Sequence, residues 1–144
     1  MRPFSTPILT LLLFLSLTTI LQAQNTPNTY DITVIIENVK NNSGHVLIGL
    51  HTEKTFMKGS GIQHAKCKIE NGKVTTTFKN VSPGTYAVLA LHDENDNNTM
   101  DFEANGMPKE TYGTSNNDMG FGPPLFANAA FTITNQNEIL NIRL

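Results

Sequence analysis

The residues with the clearest chemical potential lie in one acidic segment, residues 92–103 (HDENDNNTMDFE). Five carboxylates fall within these twelve residues, and no Lys or Arg lies among them. Like charges held close together repel one another, so a segment of this kind is stabilised when a cation neutralises it. The composition therefore predicts a loop that binds a cation.

Side chains that carry oxygen recur through this segment at the spacing of a calcium-binding loop. Asp93, Asn95, Asn97 and Asp101 occupy relative positions 1, 3, 5 and 9 of that pattern, in which alternate residues turn their oxygens toward one centre. Thr99, at position 7, would supply its backbone carbonyl. These five residues are the predicted calcium ligands, because hard oxygen donors favour calcium over zinc.

The segment departs from a helix-flanked EF-hand loop at two positions. Asn98 stands where Gly is usual, although Asn also tolerates the positive φ needed there. Ala104 replaces the bidentate Glu of position 12, so Glu103 or Glu110 would have to add an oxygen. Two alternatives stay open. One is a solvated, Asn-rich turn without an ion, and the other is a transition metal bound by His92 with His51 or His45.

Catalytic motifs are missing from the sequence. Ser115 has no G-x-S-x-G context, and no Cys/His pair or phosphate-binding Gly loop occurs. The chain is therefore expected not to be an enzyme. The alternative is a glycan hydrolase that uses two carboxylates of residues 93–110, namely two of Glu94, Asp101 and Glu110. Such a site needs two carboxyl groups about 5 to 9 Å apart in a cleft.

The elements that would hold this loop have the pattern of β-strands. Seven short stretches are apolar or alternate between apolar and polar residues, with turn residues between most of them. They lie near residues 30–37, 45–52, 66–70, 73–79, 85–92, 128–134 and 139–144. The stretches at 45–52 and 85–92 are apolar on both faces and should be central. The prediction is an all-β, antiparallel seven-stranded β-sandwich of the immunoglobulin-like or transthyretin-like kind, with a small barrel as the alternative.

Two connections in this sandwich can be predicted from the sequence. The Asn71-Gly72 pair favours a two-residue type I′ hairpin turn, which would place Ile69 opposite Val74 and Cys67 opposite Thr76. Residues 93–127 lack periodicity but keep large apolar side chains, so they should form one long ordered loop.

The N-terminus predicts export. Residues 1–23 combine a basic start, an apolar run and a small residue before a cut after Ala23, as a cleavable signal peptide does. Residues 24–29 form a flexible leader, and residues 30–144 form the single domain. Removing Arg2 changes the formal net charge from −2 to −3, so neither nucleic acid nor an anionic membrane should be attracted. No membrane insertion is expected after cleavage.

The stretches SPGTYAVLALHD, HDENDNNTMD and GMPKETYGTSNN resemble an uncharacterised family of exported bacterial proteins, the domain of unknown function 2141 family. The resemblance covers roughly residues 32–144. It implies a sandwich related to transthyretin-like domains and a periplasmic or extracellular setting. It implies no activity and no catalytic residues.

The expected function is that of an exported, non-enzymatic module stabilised by calcium, whose long loop contacts an envelope protein or a glycan. The reason for this expectation is that β-sandwiches commonly carry binding residues on their loops. The two alternatives are the glycan hydrolase and a purely structural envelope domain.

Overall fold

The computed structural model describes residues 28–118, 120 and 122–144. The predicted signal peptide at 1–23 and the leader up to residue 27 lie outside the described residues. The described chain forms eight strands and one short helix. They are β1 (Tyr30–Ile36), β2 (His45–His51), β3 (Gln63–Lys68), β4 (Val74–Val81), β5 (Gly84–Asp93), β6 (Tyr112–Thr114), α1 (Phe126–Ala129), β7 (Phe131–Ile133) and β8 (Glu138–Ile142).

The strands form two sheets. One sheet has three strands in the order β4-β1-β8, and the other has the order β3-β2-β5-β6, with β7 also paired to β5. One apolar core takes buried side chains from both sheets. β2 and β5 lie side by side in the larger sheet, each with a neighbour on its other edge, which confirms their prediction as central strands.

Alternation along β1 shows why the sheets have an inside and an outside. Ile32, Val34 and Ile36 are fully buried, while Thr33 and Ile35 between them are only half-buried. Successive side chains of a strand point to opposite faces, so one set enters the core and the other faces outward. Burying this apolar set is the main source of the stability of the fold.

The Asn71-Gly72 turn is present, with φ of 54° and 73°. Glu70 and Lys73 exchange two backbone hydrogen bonds of 3.0 Å each across it, and the hairpin prediction is confirmed at this point. Beyond the turn the two strands separate, because β3 pairs with β2 and β4 pairs with β1. In the ladders Cys67 and Thr76 pair with Val46 and Val34 rather than with each other, but their side chains still meet through a hydrogen bond. The turn is a corner between the sheets.

The prediction of seven antiparallel strands is wrong in two respects. Residues 93–127 are not one continuous loop, because they contain β6, which pairs with Leu89–Leu91 of β5, and the first residues of α1. In addition, β8 runs parallel to β1. The coarser prediction of an almost entirely β fold with two sheets is confirmed. Among the described residues, no helix is long and apolar enough to cross a membrane.

Candidate functional site

The acidic loop begins at Asp93, the last residue of β5, whose side chain is fully buried. Asp93 Oδ1 accepts a hydrogen bond from the Asn97 backbone N–H at 3.1 Å, and Oδ2 accepts one from Asn98 at 2.8 Å. Hydrogen bonds from backbone N–H groups to an ionised carboxylate are stronger than neutral ones. This carboxylate therefore folds the loop back onto the end of β5.

The two predicted amide ligands stabilise the loop in the same manner. Asn95 Oδ1 accepts from the Asn97 N–H at 3.0 Å, and Asn97 Oδ1 accepts from the Thr99 N–H at 2.9 Å. Both amide groups also donate to Asp101 Oδ2, at 2.6 Å from Asn95 and 3.0 Å from Asn97. The structure thus brings all four predicted side-chain ligands into one hydrogen-bonded loop, and Thr99 is held within it.

Two residues of the loop take a left-handed backbone conformation, Asp96 with φ of 63° and Asn98 with φ of 62°. The value at Asn98 agrees with the positive φ expected there. Asp96 forms a hydrogen bond with His45 at 2.5 Å and an ion pair with Lys66 at 3.2 Å. The hydrogen bond from His45, followed by the one from Lys66, lowers the pKa of Asp96. Asp96 is thus satisfied by β2 and β3.

Glu110 closes the loop from its far end. Its carboxylate is buried, with Oε1 accepting from the Glu94 N–H at 2.9 Å and Oε2 from the Asp101 N–H at 3.1 Å. The sequence predicted Glu110 as an extra ion donor or a hydrolase carboxylate and gave no sign of this role, because its two partners are backbone groups. The other possible extra donor, Glu103, has an exposed side chain.

A small hairpin, residues 101–109, projects from the loop. Lys109 N–H donates to the Asp101 carbonyl at 2.9 Å, and Glu103 N–H donates to the Met107 carbonyl at 2.7 Å. Two large apolar side chains lie on this hairpin and are mostly exposed, Phe102 at 57% and Met107 at 61%. These two side chains are available for contact with another molecule.

Charge is unevenly compensated in the loop. Glu94 and Asp96 have ion pairs with basic side chains. Within the described part of the chain, no Lys, Arg or His forms an ion pair with Asp93, Asp101 or Glu110. No three His, Cys, Asp or Glu side chains in that part are gathered closely enough to hold a metal ion by themselves. Any ion here would depend on the amide and backbone oxygens as well.

His92, the residue before the loop, is fully buried. Its Nε2 lies 2.9 Å from the Ser43 carbonyl, and its Nδ1 lies 3.9 Å from Glu94 Oε1. The predicted histidine partners are engaged elsewhere. His45 bonds Asp96, while His51 bonds the Thr55 carbonyl at 3.0 Å. In this structure neither His45 nor His51 forms a hydrogen bond or ion pair with His92.

Glu94 lies between the loop and the turn that precedes β2. Its Oε2 accepts from Asn41 Nδ2 at 3.2 Å, and its Oε1 lies 3.6 Å from Lys40 Nζ. The Asn41 hydrogen bond, assisted by the charge of Lys40, lowers the pKa of Glu94. Glu94 is thus held in its ionised form.

Two cavities lie away from the acidic loop. One of about 50 Å³ is bordered by Tyr112 and Asn128, and an open groove of about 480 Å³ runs along Asn141 and Arg143. None of Glu94, Asp101 and Glu110 lines either of them. Neither cavity is therefore the cleft between two carboxylates that the hydrolase alternative requires.

The fold and the site define an almost entirely β domain with an acidic loop stabilised by its own side chains. The chain belongs to the family described as "Uncharacterized protein conserved in bacteria (DUF2141)", whose model matches residues 34–141. This match confirms the resemblance noted in the sequence. The description names no activity, and no curated protein matches the chain.

Two solved structures of a pilus-presented adhesin, Spy0125 (Cpa), are similar to this chain. The first has 17% sequence identity and a TM-score of 0.26, covering 83% of this chain and 27% of the adhesin chain. The second, a cysteine-to-alanine variant, has 17% identity and a TM-score of 0.26, covering 81% and 27%. The chain thus spans about a quarter of the length of these relatives.

Proposed function

We propose that the chain is an exported, non-enzymatic bacterial module whose acidic loop binds calcium and whose hairpin 101–109 contacts an envelope protein or a glycan. The observation that carries the proposal is the uncompensated charge of Asp93, Asp101 and Glu110. Carboxylates with no ion-pair partner in the described part of the chain favour binding of a hard cation, and calcium accepts six to eight oxygen ligands of several kinds. Export to the periplasm or the cell exterior, proposed from residues 1–23, would supply that cation.

In this proposal the ion takes oxygens from Asp93, Asn95, Asn97 and Asp101, and the backbone carbonyl of Thr99. The amide groups of Asn95 and Asn97 now donate to Asp101, and calcium would take over their role of neutralising that carboxylate. Glu110 and Glu103 remain possible extra donors. Both oxygens of Glu110 accept backbone N–H groups, as do those of Asp93, so each of these two carboxylates would share its oxygens with the ion.

The contact surface is proposed on the hairpin because Phe102 and Met107 are exposed there. Asp101 belongs both to the calcium loop and to the first hairpin pair, since its carbonyl accepts from Lys109 N–H. Binding of the ion would therefore fix the position of the hairpin, and partner binding would depend on calcium.

The test is thermal unfolding of the exported chain with millimolar calcium and again with a chelator. Calcium at about a hundred times its dissociation constant should add about 2.7 kcal/mol to the free energy of unfolding, a shift of several degrees. Asp101→Asn, which keeps the side-chain size, should lose most of that shift. Glu53→Gln, at an exposed position after β2, should keep it.

Equal midpoints with calcium and with chelator would reject the calcium proposal. The remaining function would then be the purely structural one, because the loop satisfies its own backbone groups through Asp93, Asn95, Asn97 and Glu110.

A further inference from the structure

His92, which the proposed calcium site does not use, has an unusual environment. The Ser43 carbonyl can only accept a hydrogen bond, so His92 Nε2 must carry the hydrogen of the 2.9 Å contact. In the neutral imidazole, Nδ1 then bears a lone pair. The His92 side chain is 0% exposed, and Nδ1 has no hydrogen-bond partner among the residues that the structure describes. A buried polar atom without a partner calls for an explanation, such as an ion.

The group facing this lone pair is also an electron-pair donor. Glu94 Oε1 lies 3.9 Å from Nδ1, while the other oxygen of Glu94 accepts from Asn41. Two electron-pair donors at this separation leave room between them for a species that accepts from both, and a cation does so best.

A third donor lies on the neighbouring strand. The His92 backbone N–H donates to the Thr111 carbonyl at 2.9 Å, so the two residues are directly opposed and project to the same face of the sheet. The hydroxyl of Thr111 is buried and, within the described chain, also lacks a partner. The Thr111 side chain is therefore on the same face of the sheet as the His92 side chain, and each of the two carries a buried polar atom without a partner.

We propose that His92 Nδ1 and the Glu94 carboxylate bind one divalent transition-metal ion, for which zinc is the probe, with the Thr111 hydroxyl beside it. Imidazole nitrogen is a preferred ligand of zinc, copper and nickel rather than calcium. Hydrogen bonding of the second ring nitrogen to a backbone carbonyl, as from His92 to Ser43, is typical of metal-ligating histidines.

The geometry is close to that of a ligand pair. Two ligands about 2.0 to 2.1 Å from a tetrahedral zinc ion lie about 3.4 Å apart. Glu94 needs to move by about half an ångström from its present 3.9 Å, which its 31% exposed side chain permits. Water would fill the remaining ligand positions, as it fills the open position of catalytic zinc sites.

Lys40 competes with the metal. Its Nζ lies 3.6 Å from Glu94 Oε1, and its side chain is 68% exposed, so it can move into solvent when the ion binds. A cation so close to a metal repels it, so Lys40→Met should bind zinc more tightly than the wild type.

The experiment is a zinc titration of the exported chain, followed by NMR of the histidine ring nitrogens and by calorimetry. Zinc should shift the Nδ1 resonance of His92. His92→Gln should abolish this binding event, and Glu94→Gln should weaken it about tenfold or more. His64→Gln is the control, because His64 is exposed on β3 and distant in sequence.

An unchanged His92 Nδ1 resonance, or equal zinc affinity of the wild type and Glu94→Gln, would overturn the proposal and leave a bound water as the explanation. If His92→Gln does not fold, the zinc affinity of Glu94→Gln and the His92 Nδ1 resonance of the wild type still test the proposal. The calcium response is independent, since Glu94→Gln should retain it and Asp101→Asn should retain zinc binding.

Discussion

The sheet core and the acidic loop are stabilised by different forces. In the core, apolar side chains from two sheets exclude water, and the backbone groups bond one another in ladders. In the loop, carboxylates and amides bond the backbone, as Asp93 bonds Asn97 and Asn98. Substitutions in the core should therefore change stability through side-chain volume. Substitutions in the loop should change it through charge and through loss of the oxygen that accepts a backbone N–H.

The largest effect is expected from a cavity in the core. Leu50 in β2 is fully buried, and Leu50→Ala should lower the free energy of unfolding by about 2 to 5 kcal/mol. Denaturant unfolding measures this loss. Ile139→Ala, at an exposed position of β8, is the matched control and should change stability by no more than about 0.5 kcal/mol. Similar losses in both variants would contradict the assignment of the core.

A smaller loss is expected when the loop loses a carboxylate. Glu110→Ala leaves the N–H groups of Glu94 and Asp101 without their acceptor, which should cost about 1 to 3 kcal/mol. Glu103→Ala removes an exposed carboxylate from the hairpin and should cost little. If the two variants unfold at the same denaturant concentration, Glu110 does not hold the loop in solution.

The strands differ in how much of them the sequence could predict. Alternation identified β1 and β4, because burial of one face leaves a direct signal in residue order, and continuous apolar runs identified the central strands β2 and β5. β6 has only three residues and exists because the edge of β5 is there to pair with it. The parallel pairing of β8 depends on where a distant strand lies. Local patterns carry neither kind of information.

The same limit applies to the site. The spacing of Asp93, Asn95, Asn97 and Asp101 identified residues that the fold brings together, because they are local in sequence. The role of Glu110 was missed because it bonds backbone groups up to sixteen residues away. The signal for His92 was equally absent, since its unpartnered Nδ1 appears only when Ser43, Glu94 and Thr111 are in position.

The corner turn should respond less strongly than the loop. Gly72 has φ of 73°, and Gly72→Ala should lower the free energy of unfolding by about 1 kcal/mol, because a Cβ is strained in that conformation. Asn71→Gly, next to it, should be nearly neutral, since Gly readily adopts φ of 54°. Denaturant midpoints compare the two. A larger loss for Asn71→Gly than for Gly72→Ala would contradict the type I′ assignment.

The smallest effect is a pH dependence that belongs to the core. Burial of His51 lowers its pKa below the ordinary value of 6.5, partly opposed by its hydrogen bond to Thr55. The unfolded chain therefore binds this proton at a higher pH than the folded chain does. The contribution of His51 to the free energy of unfolding is fully present above pH 6.5, and it falls as the pH decreases toward the pKa of His51 in the folded chain.

Unfolding midpoints between pH 7 and pH 5 test this dependence. His51→Gln, which can still donate to the Thr55 carbonyl, should flatten the profile in this window, whereas His64→Gln on exposed β3 should not. A profile that is unchanged by His51→Gln would assign the dependence to other groups.

The parallel pairing of β1 with β8 has a consequence for how the protein reaches its folded state. Ile32 lies opposite Glu138, so the central strand of the smaller sheet gains its second neighbour only after a closure that spans nearly the whole described chain. Closing a long loop costs entropy before the contacts that reward it are made. Folding is therefore expected on the millisecond-to-second scale of β-rich proteins with many distant contacts. Until β8 pairs with β1, the backbone N–H and C=O groups along one edge of β1 remain free to pair with other chains.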